Sequence, residues 1–296
     1  MPKYSFMIPV YNKVEYLKKY FSKIQNQTFS DYEIVVIDDH SQNDASYQYL
    51  LDLAKEDEKI KLFRNKQNKG LGATRNELLK KTIGEYVIFV DPDDYIEEQL
   101  LEKIEEALQQ NKDLDIIRFQ NVSEAMTKKQ TEIESKKNPY RFSCEPTEVI
   151  SGEEALIRWM LGINKRNTMP WSYCMRRSLY TNVEYPETNI LEDFAITHYL
   201  IAKAKKVKAI PFVGYHYLQY DNSLTKNYSS LEEELEFDKK KQLLFGTIIE
   251  LTKKYISITN ISPEAKTIFF KDIDDRYIYR EERLIEKERA MLGRKK

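Results

Sequence analysis

The sequence predicts an α/β fold built on a mostly parallel, doubly wound sheet. Four short runs, Tyr4–Val10, Glu33–Asp38, Ile60–Phe63 and Tyr86–Val90, are rich in Val, Ile, Phe and Tyr. The first, second and fourth lack the polar alternation of a half-solvated strand, the pattern of strands buried on both faces. The gaps between the runs suit βαβ crossovers, and apolar residues recur within and after them at helical spacing.

In order, Tyr16, Leu17, Tyr20, Phe21 and Ile24 share one helical face behind the first strand, and Leu50, Leu51 and Ala54 do so behind the second. After the fourth strand, Ile96, Leu100, Leu101, Ile104 and Leu108 repeat the pattern. From Gln120 to Pro146 periodicity gives way to polar residues, lysine-rich over Lys128–Lys137, and the segment is expected to be a loop beside the second substrate. Order resumes at Ser151-Gly-Glu-Glu154, a capping box ahead of Ala155, Leu156, Trp159 and Met160. A further helix is expected from about Glu192, with Ile196, Tyr199, Leu200 and Lys203 on successive turns. Leu244, Ile248, Leu251, Tyr255 and Ile258 mark another amphipathic helix, and Asp274–Lys296 is mostly charged.

The bulk composition excludes several classes. With 47 basic against 48 acidic residues the net charge is −1, so the whole chain carries no electrostatic footprint for nucleic acid. The longest apolar stretches are strand-sized, short of a membrane span. The N-terminus enters a strand pattern at once and lacks a signal-peptide design, so a cytoplasmic location is expected. Cys144 and Cys174 are far apart and belong to no CxxC pair, which favours idle thiols over a metal site or disulfide. The 21 tyrosines could line a stackable surface, although tyrosine also fills strands.

In a doubly wound sheet ligands bind beyond the carboxyl ends of the strands. There stand Pro9-Val10-Tyr11-Asn12, Asp38-Asp39-His40-Ser41 and Asp91-Pro92-Asp93-Asp94. A single aspartate would be an ordinary turn residue. Five carboxylates at two strand ends repel one another unless a cation joins them, and Mg²⁺ or Mn²⁺ takes such oxygen ligands while leaving positions for phosphate. Between the clusters, Asn68-Lys-Gly-Leu-Gly-Ala-Thr-Arg-Asn76 suits a tight turn entering a helix, with Arg75 able to meet a phosphate or a base edge. A phosphorylation receiver domain also has an acidic, Mg²⁺-binding pocket. Here, however, the paired aspartates follow the second strand instead of the first, Asp91 belongs to a triple cluster, and the chain far exceeds receiver length.

Taken together, these segments resemble the family 2 glycosyltransferases of GT-A fold. The resemblance runs through Phe6–Asn12, Gln25–Thr28, Glu33–Asp39, Asn68–Asn76 and Gly84–Asp94, then Trp171, Arg176–Leu179, Glu192-Asp193 and Asn222-Ser-Leu-Thr225. It implies a catalytic domain over 1–227, with a nucleotide-sugar half at 1–115 and an acceptor half at 116–227, followed by a helical segment at 228–296. It implies that Pro9, Tyr11 and Asp39 hold uracil or ribose and that Asn68 and Arg75 complete that pocket. Asp91-Pro92-Asp93 corresponds to the DxD motif, with Asp93 the direct metal ligand and Asp91 shared between ribose and metal, the cofactor being Mn²⁺ or Mg²⁺. Asp193 is the implied catalytic base of an inverting transfer from a UDP-sugar, kept ionised by the dipole of the helix it begins, and Glu192 shapes the acceptor pocket.

One departure stands out. Relatives often carry basic residues just before the Asn-Ser-hydrophobic-Thr motif, whereas this chain has Leu218 and Tyr220. The diphosphate is then left to the metal, to His216 or to a lysine elsewhere, and a binding-only homologue is the alternative to an enzyme. His40 is expected on a surface loop and His198 within a helix. The implied acceptor is a saccharide, a lipid-linked glycan or a glycoprotein, in bacterial surface polysaccharide or glycoprotein synthesis. Residues 228–296 would cover the acceptor side, form a homo-oligomer, or touch the inner face of the cell membrane through Arg294-Lys295-Lys296. Removing everything after Tyr228 is expected to leave nucleotide binding but to reduce transfer or change the oligomeric state.

Overall fold

The structure, a computed structural model, describes residues 1–126, 133–134, 140–142, 147–161, 168–219 and 230–294. Strands β1 (Tyr4–Val10), β2 (Tyr32–Asp38), β3 (Ile60–Arg64) and β4 (Tyr86–Phe89) alternate with helices α1 (Val14–Gln25), α2 (Ala45–Glu56) and α3 (Leu71–Lys81). A two-residue strand β5 (Tyr95–Ile96) precedes α4 (Leu100–Gln110) and the long β6 (Ile116–Met126). Short strands β7 (Ile133–Glu134) and β8 (Tyr140–Phe142) lead to α5 (Gly152–Met160), β9 (Tyr173–Arg176), α6 (Glu192–Lys203) and β10 (Val207–Gln219). Helices α7 (Leu231–Ser257) and α8 (Pro263–Arg294) follow.

Among the described residues these strands form one sheet in the order β3-β2-β1-β4-β9-β6-β10-β5, with β7 and β8 paired to β6. The β3-β2-β1-β4 half is parallel throughout, and its carboxyl ends carry the first two acidic clusters and Tyr11. Every residue of β1, β2 and β4 is buried, as continuous apolar runs require when helices cover both faces. Antiparallel β9 then joins the parallel pair β6 and β10 to this half.

Two expectations change. Ile96 does not belong to a helix: it pairs with Tyr215 of β10, and the helix begins only at Leu100 after Glu97 N–H donates to Gly214 O (3.1 Å). Nor is Gln120–Met126 a loop. It continues β6, because β10 satisfies its backbone as far as Ala125 on one side and β8 does so from Asn121 to Ser123 on the other. Polar composition yields here to sheet pairing, and buried Asn121 donates to Ser172 Oγ (3.0 Å). Apart from β7, the Lys128–Lys137 stretch lies outside the described residues.

Ser151 caps α5 by accepting from Glu154 N–H (3.0 Å), as its motif predicts. Helices α7 and α8 pack on α5 and α6, and Phe245, Ile248, Ile256, Phe269 and Ile273 enter the same apolar cluster as Met7, Val35 and Phe89. The core therefore runs across the sequence boundary at 227/228. Among the described residues no helix is long and apolar enough to cross a membrane. Cys174 is fully buried in β9 with a free thiol that burial pushes far up.

Candidate active site

The loop after β2 is held by its own polar side chains. Asp38, fully buried, accepts from Ser41 Oγ (2.5 Å) and Ser41 N–H (3.1 Å) and pairs with Arg64 Nε (3.1 Å). Asn12 at φ 54° closes the loop after β1, its N–H donating to Ser41 Oγ (2.9 Å) and its Oδ1 accepting from Gln42 N–H (2.9 Å). Asp39 accepts from Asn65 Nδ2 (2.6 Å) and from the N–H groups of Lys69 and Gly70 (both 2.9 Å). Its carboxylate thus moulds the 65–70 turn beside exposed Asn68, whose Nδ2 donates to Asp39 O (3.3 Å). Pro9 is buried at the end of β1, and Tyr11 next to it presents an exposed ring.

The glycines of the Asn68–Asn76 stretch have a tertiary purpose. Gly70 takes φ 86°, which costs a glycine nothing, and a Cβ on Gly72 would lie 1.9 Å from the carbonyl oxygen of Pro186. The start of α3 therefore lies directly on the segment that carries Glu192. Gly72 N–H donates to Thr188 O (3.1 Å), Leu71 N–H to Asn189 Oδ1 (3.0 Å), and the Asn76 amide pairs with both the N–H and the carbonyl of Tyr185 (2.7 and 2.9 Å). Leu191 at φ 63° then turns the chain into α6. A non-glycine residue in the left-handed region at a carboxylate-bearing helix start is the kind of strain that surrounding contacts must impose.

This docking brings Arg75, 3% exposed, against Glu192, 4% exposed, with Asp91 Oδ1 3.6 Å from Arg75 Nη2. Burial works against the guanidinium charge, but Glu192, Asp91, Tyr185 and Asp193 outweigh it and hold its pKa above the ordinary value. The resemblance assigned Arg75 to the nucleoside pocket beside Asn68. The structure instead joins it to the carboxylates, because α3 docks on the segment that carries Glu192. Phe89 and Tyr185 flank the guanidinium, at 5.4 and 5.7 Å from their ring centroids.

Asp193 is half-buried on the first turn of α6. Burial and then neighbouring Glu192 push its carboxyl up to about 7 against the pull of Arg75. Desolvation and like charge thus act against the helix dipole that the sequence suggests would keep it ionised. Asp91 rises to about 6, first through burial, with Arg75 opposing and Asp93 and Glu192 adding. Asp93 meets Lys13 Nζ at 2.6 Å, a contact with no signal in the linear sequence. Asp94 faces away from solvent, accepting from Tyr215 Oη (2.7 Å) and Leu218 N–H (2.8 Å). Tyr215 also accepts from Asp91 N–H (3.1 Å), and its ring stacks on Trp171 at 4.4 Å. Asp94 and Tyr215 thus fix the turn that presents Asp91 and Asp93.

His216 does not join this group. It stacks on Tyr95 at 4.1 Å, with Nε2 2.8 Å from Glu97 and Nδ1 2.5 Å from Glu124. Tyr215, its neighbour in β10, is the residue whose side chain reaches the aspartates, so His216 is corrected to a support of the β5–β10 pairing. His40 is exposed at φ 61°, and His198 is buried in α6 with Nδ1 2.5 Å from Phe194 O, as the sequence suggests. Asn222–Thr225 and Tyr220 lie outside the described residues.

The carboxylates suit a divalent cation only in part by themselves. Among the described residues no three His, Cys, Asp or Glu side chains converge into a metal cage. Asp91 and Asp93 offer hard oxygen donors whose mutual repulsion a cation would relieve, the remaining positions falling to substrate oxygens, a common way of holding Mg²⁺.

A family model described as glycosyl transferase family 2 matches residues 5–169, which include Asp91 and Asp93 and end before Glu192. The chain is 28% identical over 233 residues to the uncharacterized glycosyltransferase EpsJ of Bacillus subtilis, covering 76% of this chain and 64% of that protein. It is 41% identical over 95 residues to a Campylobacter jejuni GalNAc(5)-diNAcBac-PP-undecaprenol beta-1,3-glucosyltransferase, over 32% of this chain and 30% of that one. The matches thus span less than two thirds of the length of these curated relatives. In three dimensions it resembles Staphylococcus aureus TarS 1-349 in complex with UDP, with a TM-score of 0.70, 18% identity and coverage of 94% and 72% of the two chains. It also resembles a mannosyltransferase of Pyrobaculum calidifontis in complex with GDP-Man and Mn2+, with a TM-score of 0.59, 12% identity and coverage of 99% and 75%. These likenesses show the fold.

Proposed function

Because the chain belongs to glycosyl transferase family 2, we propose that it moves a sugar from a UDP-sugar to an acceptor hydroxyl with inversion, in the making of a bacterial surface polysaccharide or glycoprotein glycan. One observation carries this: Arg75, Asp91, Glu192 and Asp193, from three distant parts of the chain, meet at the carboxyl end of the sheet. UDP as the donor nucleotide is supported by the TarS complexes with UDP and UDP-GlcNAc, and a cation by the Mn2+ complex of the mannosyltransferase. A lipid-linked acceptor is supported by the name of the Campylobacter relative.

Tyr11, Pro9, Asp39 and Asn68 would form the nucleoside pocket, Tyr11 through its exposed ring and Asp39 by shaping the 65–70 turn. Asp91 and Asp93 would hold Mn²⁺ or Mg²⁺, which when bound neutralises charge developing on the departing diphosphate. Asp193 would accept the proton of the acceptor hydroxyl as its oxygen attacks the anomeric carbon. Its pKa near 7 keeps a useful fraction ionised at neutral pH while leaving it basic enough for the task. Arg75 holds Glu192 in place beside it. Attack from the face opposite the leaving group inverts the anomeric centre, so that an α-linked donor gives a β-linked product.

Calorimetry with UDP tests the donor and metal roles together. Affinity should fall by at least about tenfold when Mn²⁺ or Mg²⁺ is replaced by excess EDTA, because the cation joins Asp93 to the phosphates. Equal affinity in EDTA would remove the metal from the mechanism. A panel of nucleotide sugars with Mn²⁺, followed by slow hydrolysis, then identifies the sugar.

A further inference from the structure

Helices α7 and α8 leave a cleft of about 680 Å³ between them, within the range of a small-ligand site. Its charged walls are unevenly paired. Glu234 and Asp238 are both held by Lys287, at 2.8 and 2.6 Å, and Glu286 faces Arg283 at 3.9 Å. Lys241 and Arg280 are left over, since neither has a carboxylate partner among the described residues. They lie instead over aromatic rings, Lys241 Nζ 6.0 Å from the centroid of Phe237 and Arg280 Cζ 4.4 Å from that of Phe245. The two cations are near enough to act on each other. Burial first and then Arg280 hold the Lys241 ammonium below its ordinary value, with Asp238 opposing.

Aromatic contacts locate the cleft. His198 of α6 meets Phe269 of α8 with ring centroids 5.2 Å apart, and Phe194, one turn earlier in α6, meets Phe245 of α7 at 5.2 Å. Arg280 lies over that same Phe245 ring, roughly 16 Å beyond Phe269 along α8. As α6 leads back toward Asp193, α8 thus advances to the cleft. Arg280 is two ring contacts from Phe194, the residue next to Asp193.

Building on the acceptor role given to Asp193 above, we propose that Lys241 and Arg280 form an anion site for a phosphate or diphosphate group of the acceptor. An anion between the two cations would relieve their mutual repulsion and take a charge-assisted hydrogen bond from each. Lysine offers a point charge, and a ring beneath the guanidinium leaves its N–H edge for phosphate oxygens. Leu284 on the wall adds an apolar neighbour for a chain attached to that group. The acceptor would then be anchored by its phosphate in the cleft, and its sugar would carry the hydroxyl to Asp193.

The test is calorimetry of inorganic pyrophosphate in excess EDTA, which disables metal-dependent binding on the donor side. It compares the wild type with Lys241→Gln, Arg280→Gln and Lys241→Arg. Loss of a charge-assisted contact should weaken pyrophosphate by about tenfold or more in each glutamine variant, whereas Lys241→Arg should keep most of the affinity. UDP with Mn²⁺ should bind all four proteins alike, which also shows that the variants are folded. Farnesyl diphosphate should bind the wild type at least as tightly as pyrophosphate and respond to the same substitutions. A wild type that takes pyrophosphate but not farnesyl diphosphate would have a site for free anions, which overturns the acceptor role. No pyrophosphate binding, or binding that neither glutamine variant alters, would overturn the proposal and leave the donor reading standing while UDP binds. A wild type that binds no UDP would overturn the donor reading and the acceptor role together.

Discussion

At the scale of single residues, Asp193 is the most sharply testable. Asparagine keeps its shape but cannot take a proton, so Asp193→Asn should lower transfer by about a hundredfold or more, the usual size of a lost general base. UDP affinity should stay within a few-fold, as the proposed role puts the residue on the acceptor and not on the nucleotide. Unchanged transfer in the folded variant would end the assignment, and a wild type that binds donor without transferring would favour the binding-only homologue. The raised pKa makes a second prediction. A base must be ionised, so transfer should rise with pH up to about 7 and level off above it. An ordinary carboxylate near 4 would leave the same pH range flat. The sign for stability is opposite: Asp193 favours the folded state below its unfolded pKa, and that contribution is lost as pH rises through about 7. Asp193 and Glu192 were legible in the sequence as an adjacent pair at a helix start. Their protonation was not, because desolvation depends on what packs around them.

At the scale of elements, the start of α3 and the 185–191 segment form one structural joint. Gly72→Ala would drive a methyl group into the Pro186 carbonyl, and since neither backbone can yield without breaking the hydrogen bonds at Thr188, Asn189 and Tyr185, about 2 kcal/mol or more of stability should be lost. Urea denaturation measures this, and a loss below about 0.5 kcal/mol would show the joint to be loose. Arg75→Met at the same joint leaves Glu192 buried without its partner and should cost about 3–5 kcal/mol. A variant that lost UDP affinity at wild-type stability would return Arg75 to the nucleoside pocket. The glycines themselves were visible in the sequence and suggested a tight turn. What they make room for, a strand of chain over a hundred residues downstream, was not.

At the scale of the whole molecule, α7 and α8 are part of the main core and not an appendage. Removing everything after Tyr228 would strip Phe245, Ile248, Ile256, Phe269 and Ile273 from the apolar cluster over α5 and α6. The truncated protein should be insoluble or unfolded and bind no UDP, whereas the sequence alone suggests that nucleotide binding survives while transfer falls or the oligomeric state changes; sedimentation and UDP calorimetry decide. In the full chain, Phe269→Ala should lower stability by about 3–5 kcal/mol in a single cooperative transition, and a separate early transition would show an independent helical unit. By itself the sequence determined strands β1 to β4 and the helical faces after β1 and β2, the parallel α/β class and the placing of aspartates at strand ends. Those follow from local periodicity and from the chemistry of strand termini, which a linear sequence displays directly. Only the tertiary structure decided which side chains meet. The pairing of β10 with β6 shifts register between Ala209 and Val213 and again between Val213 and Tyr215. Successive strand residues face opposite sides of the sheet, so Tyr215 reaches the turn of Asp91 and Asp94 while His216 turns to Glu97 and Glu124. Likewise, Arg75 meets Glu192, and Asp193 takes its pKa near 7, through burial and contacts made between residues far apart in the chain.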